Sequence, residues 1–218
     1  MKSGWALLLV TTGLFAQRIP VPEGLTPLDS IRGDLDKDGR DERVIVYETV
    51  LPDSVYASAD RKLCVYKSEG GRWMLWQESD QALMGSRDGG MMGDPYEGID
   101  IKANTLRVTQ SGGSSWKWSD TDIYRWDGTA LRLIGHTSYF GRPCDYFATF
   151  DYNLSTGKIH YRLDPDPDGC EDGAFEPLEV YHKQKETFYF KSPIITLQDR
   201  SAHDVTIVTP KYKVELHL

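Results

Sequence analysis

Ile123-Tyr124-Arg125-Trp126-Asp127-Gly128-Thr129-Ala130-Leu131-Arg132-Leu133-Ile134 is the stretch that decides the fold class. Two short apolar segments flank an Asp-Gly pair, and Asp-Gly tolerates the positive φ angles of the turn that matches strand twist, so the stretch reads as an antiparallel hairpin. The pattern continues in both directions. Residues 63–67 and 73–77 flank Glu69-Gly70-Gly71, residues 99–102 and 106–110 flank Ala103-Asn104, and residues 146–152 and 158–162 flank Ser155-Thr156-Gly157. Further strands are expected at 44–47, 187–190 and 205–208, each a short apolar or alternating run bounded by turn residues. No amphipathic helical period and no exact repeat is found, and residues 84–98, with Asp88-Gly89-Gly90 and Gly93-Asp94-Pro95, read as a long loop. The expected class is all-β, built from antiparallel hairpins as a shortened propeller-like array or a β-sandwich, because no βαβ alternation is present.

At the N-terminus, Lys2 precedes an apolar run from Trp5 to Phe15 that ends in Ala16-Gln17, the order of a secretory signal peptide. Residues 1–16 are therefore expected to be a leader and residues 17–218 a single β-rich domain, with secretion or a periplasmic location. That run is too short to cross a bilayer, and no later segment approaches the ~20 apolar residues of a spanning helix, so no transmembrane segment is expected. Loss of the leader removes one lysine and no acid, moving the net charge from −8 to −9. Nucleic acid is excluded as a partner on this balance, since phosphate backbones are held by clustered Lys and Arg. Of the three cysteines, Cys64 lies in an alternating strand segment, while Cys144 and Cys170 sit among turn residues. A Cys144–Cys170 disulfide with Cys64 buried and free is the preferred pairing, which spacing alone leaves open.

Asp34-Leu35-Asp36-Lys37-Asp38-Gly39-Arg40-Asp41-Glu42 carries the clearest chemistry. Carboxylates stand at positions 1, 3, 5 and 9 with glycine at position 6, and an apolar strand follows. A hard cation such as Ca²⁺ takes six to eight oxygens at short radius, and alternate residues of a tight loop converge on one point. The ligands would be the side chains of Asp34, Asp36, Asp38 and Glu42 with the backbone carbonyl of Arg40. The competing reading is a solvated acidic turn, although four like charges packed without a cation repel one another. Asp164, Asp166, Asp168 and Asp172 repeat the spacing around Gly169, but Pro165 and Pro167 remove backbone donors, so this loop reads as a weaker cation site or as a rigid acidic turn pinned by Cys170.

The segment from Gly33-Asp34 to Tyr47 resembles the calcium loop and following strand of FG-GAP (VCBS-type) repeats, the units of integrin-α-like β-propellers. The resemblance implies a structural calcium held by Asp34, Asp36, Asp38 and Glu42, with Glu42 in place of the more usual Asp, and an extracellular β fold. One good copy of the loop is visible, whereas a full propeller repeats it from blade to blade. Residues 89–95, 112–118, 144–146 and 151–158 make most of the chain similar to a group of exported proteins of Bacteroidetes-type bacteria, a likeness that implies export and carries no activity.

Nothing in the sequence spells out an enzyme. The five histidines form no zinc-binding spacing, and no nucleophile elbow or phosphate-binding glycine loop is present. Trp116 and Trp118, two apart in an expected strand, share a face and could stack on a sugar or peptide, with Asp120 beside them, though core packing is the commoner role of such a pair. Among acids outside the two loops, Asp94, Glu97, Asp120 and Asp145 are the ones available for carboxylate catalysis. The sequence thus supports an exported calcium-binding β module with a structural or binding role, a protein or glycan being the expected ligand, and a secreted hydrolase acting on glycan or peptide as the alternative; it assigns no activity.

Overall fold

The computed structural model describes residues 18–50, 57–170 and 178–218, so the expected leader lies outside the described residues. The fold is all-β and antiparallel, in two meanders and a terminal hairpin. The first sheet runs β1 (Leu25–Gly33), β2 (Glu42–Thr49), β3 (Arg61–Glu69) and β4 (Arg72–Ser79) in chain order. The second runs β5 (Tyr96–Lys102), β6 (Thr105–Gly113), β7 (Lys117–Trp126), β8 (Leu131–Arg142), β9 (Tyr146–Asn153), β10 (Lys158–Pro165) and β11 (Gln184–Tyr189). β12 (Thr206–Val208) and β13 (Glu215–His217) pair near the C-terminus. A continuous seven-stranded meander is not a set of four-stranded blades, so the strand order favours two sheets around a common core over a propeller-like array.

All four expected hairpins form, but the deciding one closes differently from the sequence expectation. Only Gly128 has positive φ (103°), and four residues rather than two join β7 to β8. Asp127 caps the connection instead: its Oδ1 accepts the Ala130 N–H at 3.0 Å, the Thr129 hydroxyl at 2.8 Å and the Thr129 N–H at 2.9 Å, which together hold its carboxyl at about 2. Two-residue turns with both φ angles positive are instead at Gly70 (56°) and Gly71 (80°), between β3 and β4, and at Ala103 (51°) and Asn104 (57°), between β5 and β6.

Val44, Val46, Leu63 and Val65 of the first sheet and Leu106, Tyr124, Leu133, Tyr152 and Ile159 of the second belong to one buried cluster. β2 and β3 are buried on both faces, and Ile45, Tyr47, Cys64 and Tyr66 form a second cluster on the opposite side with Ile19, Leu25 and Trp73. This is why residues 44–47 read as an unbroken apolar run. Cys64 is free and buried there, and Cys144 is bonded to Cys170 with the Cα atoms 4.6 Å apart, fastening the β8–β9 turn to the 3₁₀ turn Pro167–Cys170.

A second 3₁₀ segment, Leu197–Ala202, bridges the sheets. Ser79 of β4 donates to the Leu197 carbonyl at 2.6 Å, Gln198 donates to Gln77 at 2.6 Å, and Thr196 pairs with Arg132 of β8. The sheets also meet where β1 passes β5, and a Cβ on Gly33 would stand 2.6 Å from the Ile101 side chain. We expect Gly33→Ala to destabilise the fold by about 1–3 kcal/mol, because a β-branched neighbour must shift to admit the methyl group. A wild-type thermal midpoint in that variant would show that the sheets are looser at this edge than the geometry requires.

Candidate functional site

The expected cation loop joins β1 to β2. Its second residue, Leu35, is buried in the main core, and the Asp34 carbonyl accepts a hydrogen bond from Asn104 at 2.6 Å, so the loop is anchored to the β5–β6 turn of the other sheet. Asp34, Asp36 and Asp38 fold the loop onto itself. Asp34 accepts the Lys37 and Gly39 N–H groups at 2.6 and 3.1 Å, Asp36 accepts that of Asp38 at 3.2 Å, and Asp38 accepts that of Arg40 at 2.8 Å. Lys37 (φ 67°) and Gly39 (φ 83°) supply the left-handed backbone.

Carboxylate oxygens of Asp34, Asp36 and Glu42 lie within 4.8 Å of one another. Glu42 is buried and accepts the Leu35 N–H at 2.7 Å. Burial pushes its carboxyl up, an effect that the Leu35 N–H offsets in part and the charge of Asp36 reinforces. Asp38 stands outside this trio, exposed, with its second oxygen 3.9 Å from the Arg40 guanidinium. Lys67 of β3 reaches the Asp36 carboxylate and also lies 3.9 Å above the Trp76 ring. An all-oxygen trio suits a hard cation, and the Lys67 ammonium stands beside it.

The other acidic loop is arranged otherwise. Asp164 pairs with Arg162, Asp166 accepts the Cys144 N–H at 3.4 Å, and Asp168 is exposed in the 3₁₀ turn. Asp172 lies outside the described residues. Among the described residues, the acids of this loop do not gather around one point.

A different polar group, which sequence reasoning did not assemble, lies on the inner face of the seven-stranded sheet. Register sets Gln110, Asp120, Ser138, Phe150 and Tyr161 in one cross-strand row from β6 to β10, and Val108, Asp122, His136, Tyr152 and Ile159 in the next. Asp120, Asp122, His136 and Ser138 thus form a polar block in an apolar face. The Asp122 carboxylate, 7 % exposed, is fully engaged. Oδ1 accepts from His136 Nδ1 at 2.7 Å, and Oδ2 accepts from Arg200 Nε at 2.5 Å and from the Tyr124 hydroxyl at 3.1 Å. Because an ionised carboxylate only accepts, His136 carries its proton on Nδ1. Burial pushes the Asp122 carboxyl up, but the His136 hydrogen bond and the Arg200 charge outweigh it and hold it at about 2. Asp120 goes the other way: burial raises its carboxyl against the opposing effects of His136 and a Ser138 hydrogen bond, and its Oδ1 is buried with no hydrogen-bond partner.

Asp120 lines two clefts. One, of about 720 Å³, is acidic, with Asp60, Asp80, Asp88 and Asp122 against Arg61 and Arg200. Both arginines are already committed, Arg61 to Asp94 at 2.7 and 2.5 Å and Arg200 to Asp122. The other, of about 420 Å³, is walled by Phe140, Tyr146, Phe150 and Tyr161 beneath β13. His136 lines neither cleft.

Trp116 does not share the strand with Trp118 as expected, because β7 begins at Lys117. Trp118 is the cross-strand partner of Phe140, and Trp116 stacks on Phe140 at 5.1 Å between centroids and tilts against Tyr146 at 5.3 Å. Of the other acids considered for catalysis, Asp94 is held by Arg61, Glu97 accepts from Ser111, and Asp145 is buried between Arg142 (2.6 Å) and the Leu178 N–H (2.7 Å). No protein-family model matches the chain, and no curated protein matches it significantly.

The carboxyl of Asp122 sits below the ~3.9 of an unfolded aspartate, so its stabilisation is complete above that value and is lost as pH falls from about 4 towards 2. Asp120, raised on folding, has the opposite sign and costs stability as pH climbs past the unfolded value. Replacing Asp122 with Asn leaves the partly buried Arg200 without its counter-charge, and we expect a loss of about 3 kcal/mol at neutral pH by urea unfolding. The acid limb below about pH 4 should flatten in the same variant. Wild-type stability and an unchanged acid limb would remove Asp122 from the centre of the network.

Proposed function

We propose that the chain is an exported, non-catalytic calcium-binding β module, in which one Ca²⁺ stabilises the β1–β2 loop while another face binds a protein or glycan ligand. The observation that carries the reading is the convergence of Asp34, Asp36 and Glu42 oxygens within 4.8 Å in a loop pinned by Leu35 and Asn104. The likeness of this loop to FG-GAP repeats supports the same ion and the same residues. Asp34, Asp36 and Glu42 would supply ligand oxygens directly, and Asp38 would join them by turning from Arg40.

The hydrolase alternative draws support from Asp120, whose raised carboxyl beside a cleft suits a general acid. Glycoside hydrolysis needs a second, free carboxylate as nucleophile or base. The nearest acid on the same strand face, Asp122, has both oxygens occupied and a carboxyl held at about 2. Binding is therefore the better reading of this face.

Calorimetric titration of Ca²⁺ into chelator-stripped protein should give one saturable site with Kd in the ~10⁻⁴ to 10⁻³ M range. At about 100 times Kd the ion should add about 2.7 kcal/mol of stability, seen as a higher thermal midpoint. Asp36→Ala should abolish both effects, and Lys67→Met should tighten binding by removing the ammonium that competes for Asp36. If the stripped wild type takes up no Ca²⁺ at millimolar concentration, Lys67 is the loop's own counter-cation and the calcium reading fails.

A further inference from the structure

We infer that the aromatic cleft beneath β13 is a binding site for an alkylammonium group, and that its occupant is a lysine side chain of a partner protein. The inference deepens the binding role proposed above and is independent of the calcium loop. The carrying observation is the row Asp120–Ser138–Phe150–Tyr161, which register lays across β7 to β10 on one face. Asp120 forms the floor of the cleft, and Phe140, Tyr146, Phe150 and Tyr161 form its walls. One oxygen of the Asp120 carboxylate is buried without a hydrogen-bond partner, and among the described residues neither lysine nor arginine lines the cleft. Glu215 adds an exposed second negative charge at the β13 side.

A desolvated carboxylate ringed by aromatic faces is complementary to an organic cation. The ammonium offsets the charge of the Asp120 carboxylate, and the ring quadrupoles attract the same positive charge. The raised carboxyl of Asp120 is what such a group shows before its cation arrives. Lysine fits better than an amino sugar because its methylene stem matches the aromatic walls, whereas a sugar ring brings several hydroxyls to a cleft whose side-chain polar groups are Asp120, Ser138, Glu215, His217 and the Tyr146 and Tyr161 hydroxyls. The acidic cleft that Asp120 also lines, with five aspartates against Arg61 and Arg200, extends the same negative charge, as a basic partner surface requires.

The test is a titration of the whole protein with Nα-acetyl-lysine methylamide, followed by calorimetry and by perturbation of the Tyr and Phe ring signals in NMR. Nα-acetyl-norleucine methylamide serves as the uncharged comparison and glucosamine as the sugar amine. Saturable lysine binding is expected, with the norleucine compound weaker by about tenfold or more. Asp120→Asn should weaken lysine binding to a similar degree, and Phe140→Ala, a change at a ring 41 % exposed and so of little cost to folding, should weaken it several-fold. Equal binding of norleucine, unaltered binding in the Phe140 variant, or no saturable binding of lysine would overturn the proposal. Glucosamine binding as tightly as lysine would overturn the choice of a protein partner. Run with and without chelator, the titration separates the two proposals: calcium binding lost in Asp36→Ala with lysine binding retained would leave this cleft standing.

Discussion

The Asp122 carboxylate is the constraint around which the rest of the inner face is arranged. It comes from β7, its imidazole partner from β8 and its guanidinium partner from the Leu197–Ala202 segment, which is itself hydrogen-bonded to β4. One buried anion therefore ties both sheets and the segment between them. A charge in such a place is tolerable only when it is paired and both oxygens are hydrogen-bonded, and here His136, Arg200 and Tyr124 supply the donors. With Asp122 engaged on both oxygens, Asp120 two residues away is left as an inner-face acid with an unmet oxygen, as is Glu186 of β11 at the other end of its row. The contrast between these neighbours, one satisfied and one waiting, separates architecture from candidate binding chemistry.

The cation loop is tied into the same architecture by different means. Leu35 enters the main core, Asn104 holds the Asp34 carbonyl, and Gly33 allows β1 to pass close to Ile101. Order in the loop thus depends on the contact between sheets, and an ion that rigidified the loop would also brace that contact. Lys67 connects the two, because its ammonium reaches Asp36 while also lying over Trp76, whose ring packs 4.5 Å from Trp126 at the end of β7.

Much of the fold was legible because hairpins are local. The segments 63–67 with 73–77, 99–102 with 106–110, and 146–152 with 158–162 carry their own turn residues, and each forms. β1 and β13 escaped notice: Leu25–Gly33 alternates weakly, and Glu215–His217 is three residues long. The deciding Asp-Gly hairpin was right in kind and wrong in turn, since Asp127 prefers to cap three donors. In the candidate site, the spacing of Asp34, Asp36 and Glu42 was readable because a tight loop converts spacing into convergence. His136 was not. If alternation ran unbroken from Leu131 and Leu133, His136 would face outward. A register shift between β7 and β8 sets Tyr124 against Leu133 but Ile123 against Gly135, leaving Ile134 as the extra residue, and turns His136, Ser138 and Phe140 inward.

The sequence by itself determined what depends on neighbours along the chain: an all-β class, the hairpins, an acidic loop with the spacing of a cation site, and a negative charge that disfavours nucleic acid. Trp118, Asp120, Asp122 and Tyr124 already alternated in phase with one another, a signal that two acids point inward. Only the tertiary structure decided what those acids meet. Arg200 reaches Asp122 from 78 residues away, Lys67 reaches Asp36 from 31, and one bulge sets which face His136 occupies. Burial and long-range pairing fix the charge a carboxylate carries, and neither is written in its local sequence.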